Sequence, residues 1–153
     1  MKKKIINTVG AVFAMALVTG MSSCIVNAAS GNYTNSDYSY VYKTDGNHKD
    51  TQWRNKNCDI SNDGIHGYGY IMNSYMETSR VQMYGRNDSS TSSAKVCSSW
   101  GSAEHYKHTN INNSFKKSVQ NQAKLRITTP SGTSSTYGVW SPDSSKQYSN
   151  IIG

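Results

Sequence analysis

The chain has 153 residues, 16 Lys and Arg against 9 Asp and Glu, a formal net charge of +7, 11 Tyr and 3 Cys. That length fits one ordinary domain behind a leader. The basic excess is mild and, past the leader, no run of Lys or Arg exceeds Lys116-Lys117, so nothing in composition specifies a nucleic-acid partner.

The first thirty residues read as a bacterial-type secretory signal. Lys2, Lys3 and Lys4 precede an apolar run over 9–18, and Val26-Asn27-Ala28-Ala29 stands ahead of Ser30. The apolar run is too short for the roughly 20 residues that a bilayer crossing needs, so no transmembrane segment is expected in the mature chain. Small residues at Val26/Ala28 or Asn27/Ala29 fit a standard peptidase and release a chain that starts at Ala29 or Ser30. Met21-Ser22-Ser23-Cys24 also looks like a lipoprotein processing box, which would leave Cys24 lipid-anchored. Soluble release is the expectation, giving a signal peptide over 1–29 and a single secreted domain over 30–153. Losing the leader removes three Lys and no acid, and lowers the charge from +7 to +4.

Past the leader, helical periodicity is nearly absent, and short alternating runs recur between clusters of Ser, Asn, Asp and Gly. Residues 38–42 form the first expected strand, running into Asp45-Gly46, a hairpin signal with 51–58 as the returning strand. Asp63-Gly64 separates that segment from a strand over 66–72. A strand over 79–86 alternates around Val81 and Met83, and a Ser-rich loop over 88–93 leads to a strand over 95–100. Residues 106–115 are ambiguous. The clearest strand is 123–128, with Ala123, Leu125 and Ile127 alternating with polar residues until Pro130 and Gly132 stop it. A last strand over 135–140 ends at the turn Ser141-Pro142-Asp143, beyond which the tail is expected to fray.

Roughly seven to nine short strands without helices between them predict an all-β fold, an antiparallel β-sandwich or jelly-roll-like pair of sheets. Leu125 is the only leucine past the leader and Phe115 the only phenylalanine. The core must therefore draw on Tyr, Trp, Val, Ile and Met, with Trp53, Trp100 and Trp140 as core residues. Cys58 and Cys97 are the only cysteines left in the domain, and in an oxidising compartment they predict one disulfide. Closing a loop of about 40 residues would stabilise the fold by roughly 4 kcal/mol.

Chemistry-bearing motifs are sparse. Asp59, Ser61, Asp63 and Gly64 open like a calcium loop, but the bidentate carboxylate of position twelve falls on Tyr70, so a plain turn at Asn62-Asp63-Gly64 is expected and no metal. His105, His108 and Glu104 suggest zinc only on a helix; a strand sends the two His to opposite faces. There is no G-x-S-x-G elbow, and Glu77 and Glu104 are the only glutamates, so no catalytic residue and no cofactor is expected. The aromatic residues are the more suggestive feature. Tyr38, Tyr40 and Tyr42 share one strand face and Tyr68 and Tyr70 another, which suits stacking on sugar rings or a protein contact, unless these rings are the core.

The Lys-led leader, the Tyr-, Ser-, Asn- and Gly-rich body and the closing Tyr137-Gly138-Val139-Trp140-Ser141-Pro142-Asp143-Ser144 resemble small uncharacterised secreted proteins of Gram-positive bacteria. Some of those are bacteriocin-associated, of the lactococcin type. The resemblance implies secretion and an antimicrobial or accessory role, and carries no functional residue. The residues themselves point to a secreted, non-catalytic binding protein at the cell surface, using the Tyr38/Tyr40/Tyr42 and Tyr68/Tyr70 faces. Its expected partner is cell-wall glycan, an envelope polymer or another surface protein. A bacteriocin-like antimicrobial and a small secreted hydrolase are the alternatives.

Overall fold

The computed structural model describes residues 30–88, 93–130 and 135–153. The leader, with both cleavage readings and the Met21-Ser22-Ser23-Cys24 box, lies outside the described residues, as do most of the Ser-rich loop and Gly132.

The strands are β1 (Ser36–Val41), β2 (Lys49–Asp50), β3 (Arg54–Asn55), β4 (Gly69–Asn73), β5 (Ser79–Arg86), β6 (Lys95–Val96), β7 (Gly101–Ala103), β8 (His108–Ile111), β9 (Gln122–Thr128), β10 (Ser135–Ser141) and β11 (Asn150–Ile152). Single helical turns α1 (Tyr42–Asp45) and α2 (Ile60–Asp63) and a 3-10 turn (Gly64–Gly67) fill the connections. One sheet, A, runs β1-β10-β4-β8-β11; the other, B, runs β2-β9-β5-β6, with β3 added to β9 and β7 to β5. Every pairing is antiparallel except β8 with β11. The all-β, two-sheet architecture is the one that the alternating runs dictate.

The two sheets bury one core between them. From sheet B come Val81, Met83, Ala123, Leu125 and Ile127; from sheet A come Tyr38, Tyr40, Ile71, Ile111 and Trp140, with Phe115 entering from a loop. In the β5–β9 ladder Val81 lies opposite Ile127 and Met83 opposite Leu125, while Gln82 lies opposite Arg126 and Tyr84 opposite Lys124. Because side chains alternate between faces, this register sends all the aliphatics inward and leaves a polar, basic and aromatic row outside. The tyrosines bury because the chain has so few aliphatics to bury: Tyr40 is fully enclosed, and its hydroxyl donates to the Gly46 carbonyl at 2.7 Å.

The Asp45-Gly46 hairpin does not form. Asp45 Oδ2 accepts the Val41 N–H at 2.8 Å and winds 42–45 into a helical turn, which Gly46 leaves at φ +68°. The chain then crosses to sheet B, where β2 pairs with β9, and β1 pairs with β10 instead. Of the expected returning strand only Arg54–Asn55 is extended in a ladder, also on β9.

The tail after Pro142 is anchored, not frayed. Asp143 and Ser144 are fully buried, and β11 lies beside β8. The anchor is the ion pair of Lys56 and Asp143, both side chains without exposure, at 2.9 Å. The Lys56 ammonium also donates to the carbonyls of Gly67 and Pro142, so its three donors are all used. Asp143 Oδ2 accepts the N–H of Asn32 and of Asn57, at 2.7 and 2.9 Å. This one pair ties the segments around 32, 56, 67 and 143 together.

A candidate binding face on sheet B

The outer face of sheet B carries cations and aromatic rings in alternation. On β5 the outward residues are Arg80, Gln82, Tyr84 and Arg86; on β9 they are Gln122, Lys124, Arg126 and Thr128. The Trp53 ring has the Arg86 guanidinium 4.4 Å from its centroid and the Lys124 ammonium at 4.9 Å. The Tyr84 ring has Arg126 at 4.8 Å and Lys124 at 5.7 Å, and Trp100 has Arg80 at 5.7 Å. Each cation is thus seated against a ring quadrupole.

Polar bonds lock the arrangement. Arg86 Nε donates to Gln122 Oε1 at 2.9 Å, Arg126 donates to the Tyr84 hydroxyl at 3.1 Å, and that hydroxyl donates to Gln82 Oε1 at 3.0 Å. One carboxylate, Asp50, is bound by two of the four cations, by Arg126 Nε at 2.8 Å and by Lys124. Partial burial pushes its carboxyl up, but the bonds from Arg126 and Lys124 outweigh that and bring it down to about 2. The face therefore keeps a surplus of positive charge across the whole neutral range.

Two pockets adjoin it. A groove of about 720 Å³ runs between β1 and the segment 49–55, with Asp37, Asp50, Trp53, Arg54 and Trp140 among its lining residues. Trp53 and Asp50 make it continuous with the basic face. Arg54 lies 6.0 Å from the Trp140 centroid and donates to the Thr34 carbonyl at 2.7 Å, which fixes the groove wall. A second pocket of about 550 Å³ has Gly85, Cys97 and Gln120 on its wall with Arg86, Lys95 and Lys116.

The tyrosines singled out in sequence sit elsewhere. Tyr38 is buried, with its hydroxyl 2.9 Å from Ser79 Oγ, and burial pushes that phenol up to about 12; Tyr40 is buried beside it. Tyr42 has left the strand for α1 and is half-exposed. The three do not form a surface strip, because the face of β1 that they were expected to present is the face that packs into the core. Tyr68 is half-buried after the 3-10 turn, and Tyr70 is buried with its hydroxyl 2.8 Å from His108 Nδ1, in a three-ring cluster with His108 and Tyr148. Of the tryptophans, Trp140 is a core residue as expected, whereas Trp53 and Trp100 lie on the outside of sheet B, where a basic neighbour covers each.

Cys58 and Cys97 are both buried and both unpaired, which corrects the expected disulfide. Cys58 lies in the segment held under Asp143, whose Oδ1 accepts its N–H at 3.3 Å; Cys97 follows β6 and meets Gln120. The calcium-like carboxylates are occupied internally. Asp59 caps α2 by accepting the Asn62 N–H and also accepts the Lys117 N–H, while Asp63 pairs with the Lys117 ammonium at 2.8 Å. A lysine thus stands where a cation would. His105 stacks on Tyr106 and His108 on Tyr148, and Glu104 pairs with Lys107, so the three do not converge. Among the described residues no group of three or more His, Cys, Asp and Glu could hold a metal, and no helix is long and apolar enough to cross a membrane.

The basic face was missed because composition shows only a mild charge excess. The signal was the i, i+2 spacing of Arg80, Gln82, Tyr84 and Arg86 on one strand and of Lys124 and Arg126 on another, two strands whose other faces are aliphatic. No curated protein and no solved structure matches this sequence. A family described as "Protein of unknown function (DUF2712)" matches residues 24–144, most of the chain, and the chain belongs to that family.

Proposed function

We propose that this protein is secreted and acts without catalysis at the cell surface, holding an anionic envelope polymer across the outer face of sheet B. The observation that carries the reading is the interleaving of Arg80, Arg86, Lys124 and Arg126 with the rings of Trp53, Tyr84 and Trp100, against the single carboxylate of Asp50. A guanidinium seated on a ring and pinned by a side-chain amide has lost its rotamer freedom before the ligand arrives, so less affinity is spent on ordering it. Arg is suited to bidentate contact with phosphate or carboxylate oxygens, and the exposed Trp100 ring, with the parts of the half-buried Trp53 and Tyr84 rings that the cations leave open, suits the apolar faces of sugars. A glycan bearing phosphate or carboxylate groups satisfies both halves of the face. The adjoining groove at Trp53 gives a polymer chain a place to continue off the sheet.

The experiment is sedimentation of the secreted protein with purified cell walls, before and after acid or alkaline extraction of their anionic polymers. Retention on intact walls, lost on extraction and lost in the Trp53→Ala/Arg86→Gln/Lys124→Gln variant, is the expected result. Equal retention by wild type and variant, or retention that survives extraction, would overturn this reading.

A further inference from the structure

We propose that Cys97 and Gln120 close an internal thioester, Sγ to Cδ, on the wall of the second pocket, which serves as a covalent acceptor for a primary amine or hydroxyl. This stands on its own geometry and not on the polymer reading above. Gln120 Nε2 is 3.5 Å from Cys97 Sγ, and Oε1 is 3.9 Å from it, so the carboxamide meets the sulfur along its N/O edge, and a rotation of the Gln120 side chain is what turns the carbon that joins those two atoms toward the thiol. Both side chains are almost wholly buried, at 5% and 8% exposure. Opposite them is Gly85, where a Cβ would stand 2.6 Å from Gln120 Nε2 and 2.9 Å from Cys97 Sγ. Only glycine leaves room for that meeting.

The carboxamide is held as an electrophile should be. The Lys116 N–H donates to Oε1 at 3.1 Å, where negative charge would develop on addition of sulfur. The turn that carries Gln120 is closed by its own N–H and that of Val119, both donating to the Lys116 carbonyl at 3.0 Å. The thiol is fixed equally well: the Cys97 N–H donates to Met83 O at 2.8 Å and the Cys97 carbonyl accepts the Ser114 N–H at 2.7 Å. Holding a thiol and a carboxamide side by side is worth an effective concentration of up to about 10⁵–10⁸ M once sulfur and carbon are aligned at about 3–3.5 Å, which is the means by which a thioester can form from an unactivated amide.

The step balances without an oxidant or reductant. The sulfur adds to Cδ, the C–N bond breaks, and the thiol proton leaves with the nitrogen as ammonia. An amine or hydroxyl entering by the pocket then adds to the same carbon, the C–S bond breaks, and its proton passes to the sulfur, leaving an amide or ester on the former Gln120 side chain. The pocket wall is basic, with Arg86, Lys95 and Lys116, so a nucleophile carried on an anionic molecule would be drawn to it.

The test is the intact mass of the full secreted chain, denatured in acid without thiols or amines. The mass should be one ammonia below that of the sequence, with the cross-link mapped to the Cys97 and Gln120 peptides. Methylamine should add one methylamine to that mass, place it on Gln120 and make Cys97 available to alkylation. Cys97→Ala and Gln120→Glu should each abolish the loss, Gly85→Ala should reduce it at least tenfold, and Cys58→Ala should leave it. A chain of full sequence mass whose Cys97 is alkylated at once in acid-denatured wild type, or an ammonia loss mapped to other residues, would overturn the proposal.

Discussion

Lys56 and Asp143 show what one buried pair does in a domain this poor in aliphatics. Burial pushes the Lys56 ammonium down, Asp143 pulls it back up, and two carbonyls take its remaining donors. Removing one partner strands the other charge in the interior, so Asp143→Ala should cost about 3–5 kcal/mol in chemical denaturation. Lys56→Met/Asp143→Leu should recover only part of that loss, since it removes the stranded charge but leaves the N–H groups of Asn32, Asn57 and Cys58 and the carbonyls of Gly67 and Pro142 without these partners. Tyr40→Ala should cost about 3–5 kcal/mol by leaving an aromatic-sized cavity between the sheets. Neither residue's role was legible in sequence. A lone Lys and an Asp after a proline look like surface positions, and their 87-residue separation gives no local pattern to read. The tyrosine strip was legible as a strip, but periodicity cannot say which face of a two-sheet fold is inside; the scarcity of Leu and Phe was the better guide.

At the scale of the strands, β9 and β5 follow their alternation residue by residue, and they are the longest strands of sheet B. What escaped were the connections. Asp45-Gly46 has hairpin chemistry, but a local bond from Asp45 to Val41 turns the chain before β2 can pair with β1. The last strand escaped because β11 is short and joins sheet A through a parallel pairing with β8, which no adjacent turn announces. Asp50 couples β2 to β9 through Arg126 and Lys124. Its carboxyl is lower in the folded chain than the ordinary value near 3.9, so its stabilisation is complete above about pH 4 and is lost as pH falls through about 2. In Asp50→Asn the acid limb of the stability curve should flatten over that window, as followed by circular dichroism against pH. An unchanged acid limb would show that the carboxylate contributes nothing there.

Over the whole molecule, the sandwich sorts a modest charge excess into one concentrated surface. The strands that carry Arg80, Arg86, Lys124 and Arg126 outward are those that carry Val81, Met83, Leu125 and Ile127 inward, so the fold's own register builds the face. Two-faced strands were readable in sequence; their pairing, which sets Lys124 beside Tyr84 and lets Trp53 from another segment settle between Arg86 and Lys124, was not. Anion binding by this face should be nearly flat between about pH 5 and 8, because its charged groups are Arg, Lys and an Asp held low. The most direct measurement is the dissociation constant for a soluble glycerol-phosphate polymer over a range of salt concentrations, for wild type and for Arg86→Gln/Lys124→Gln. Binding should weaken steeply and log-linearly with salt, and the double variant should lose about two from the magnitude of that slope, one for each cation removed. Affinity that is indifferent to salt, or a slope unchanged in the variant, would contradict the assignment of the basic aromatic face as the binding surface.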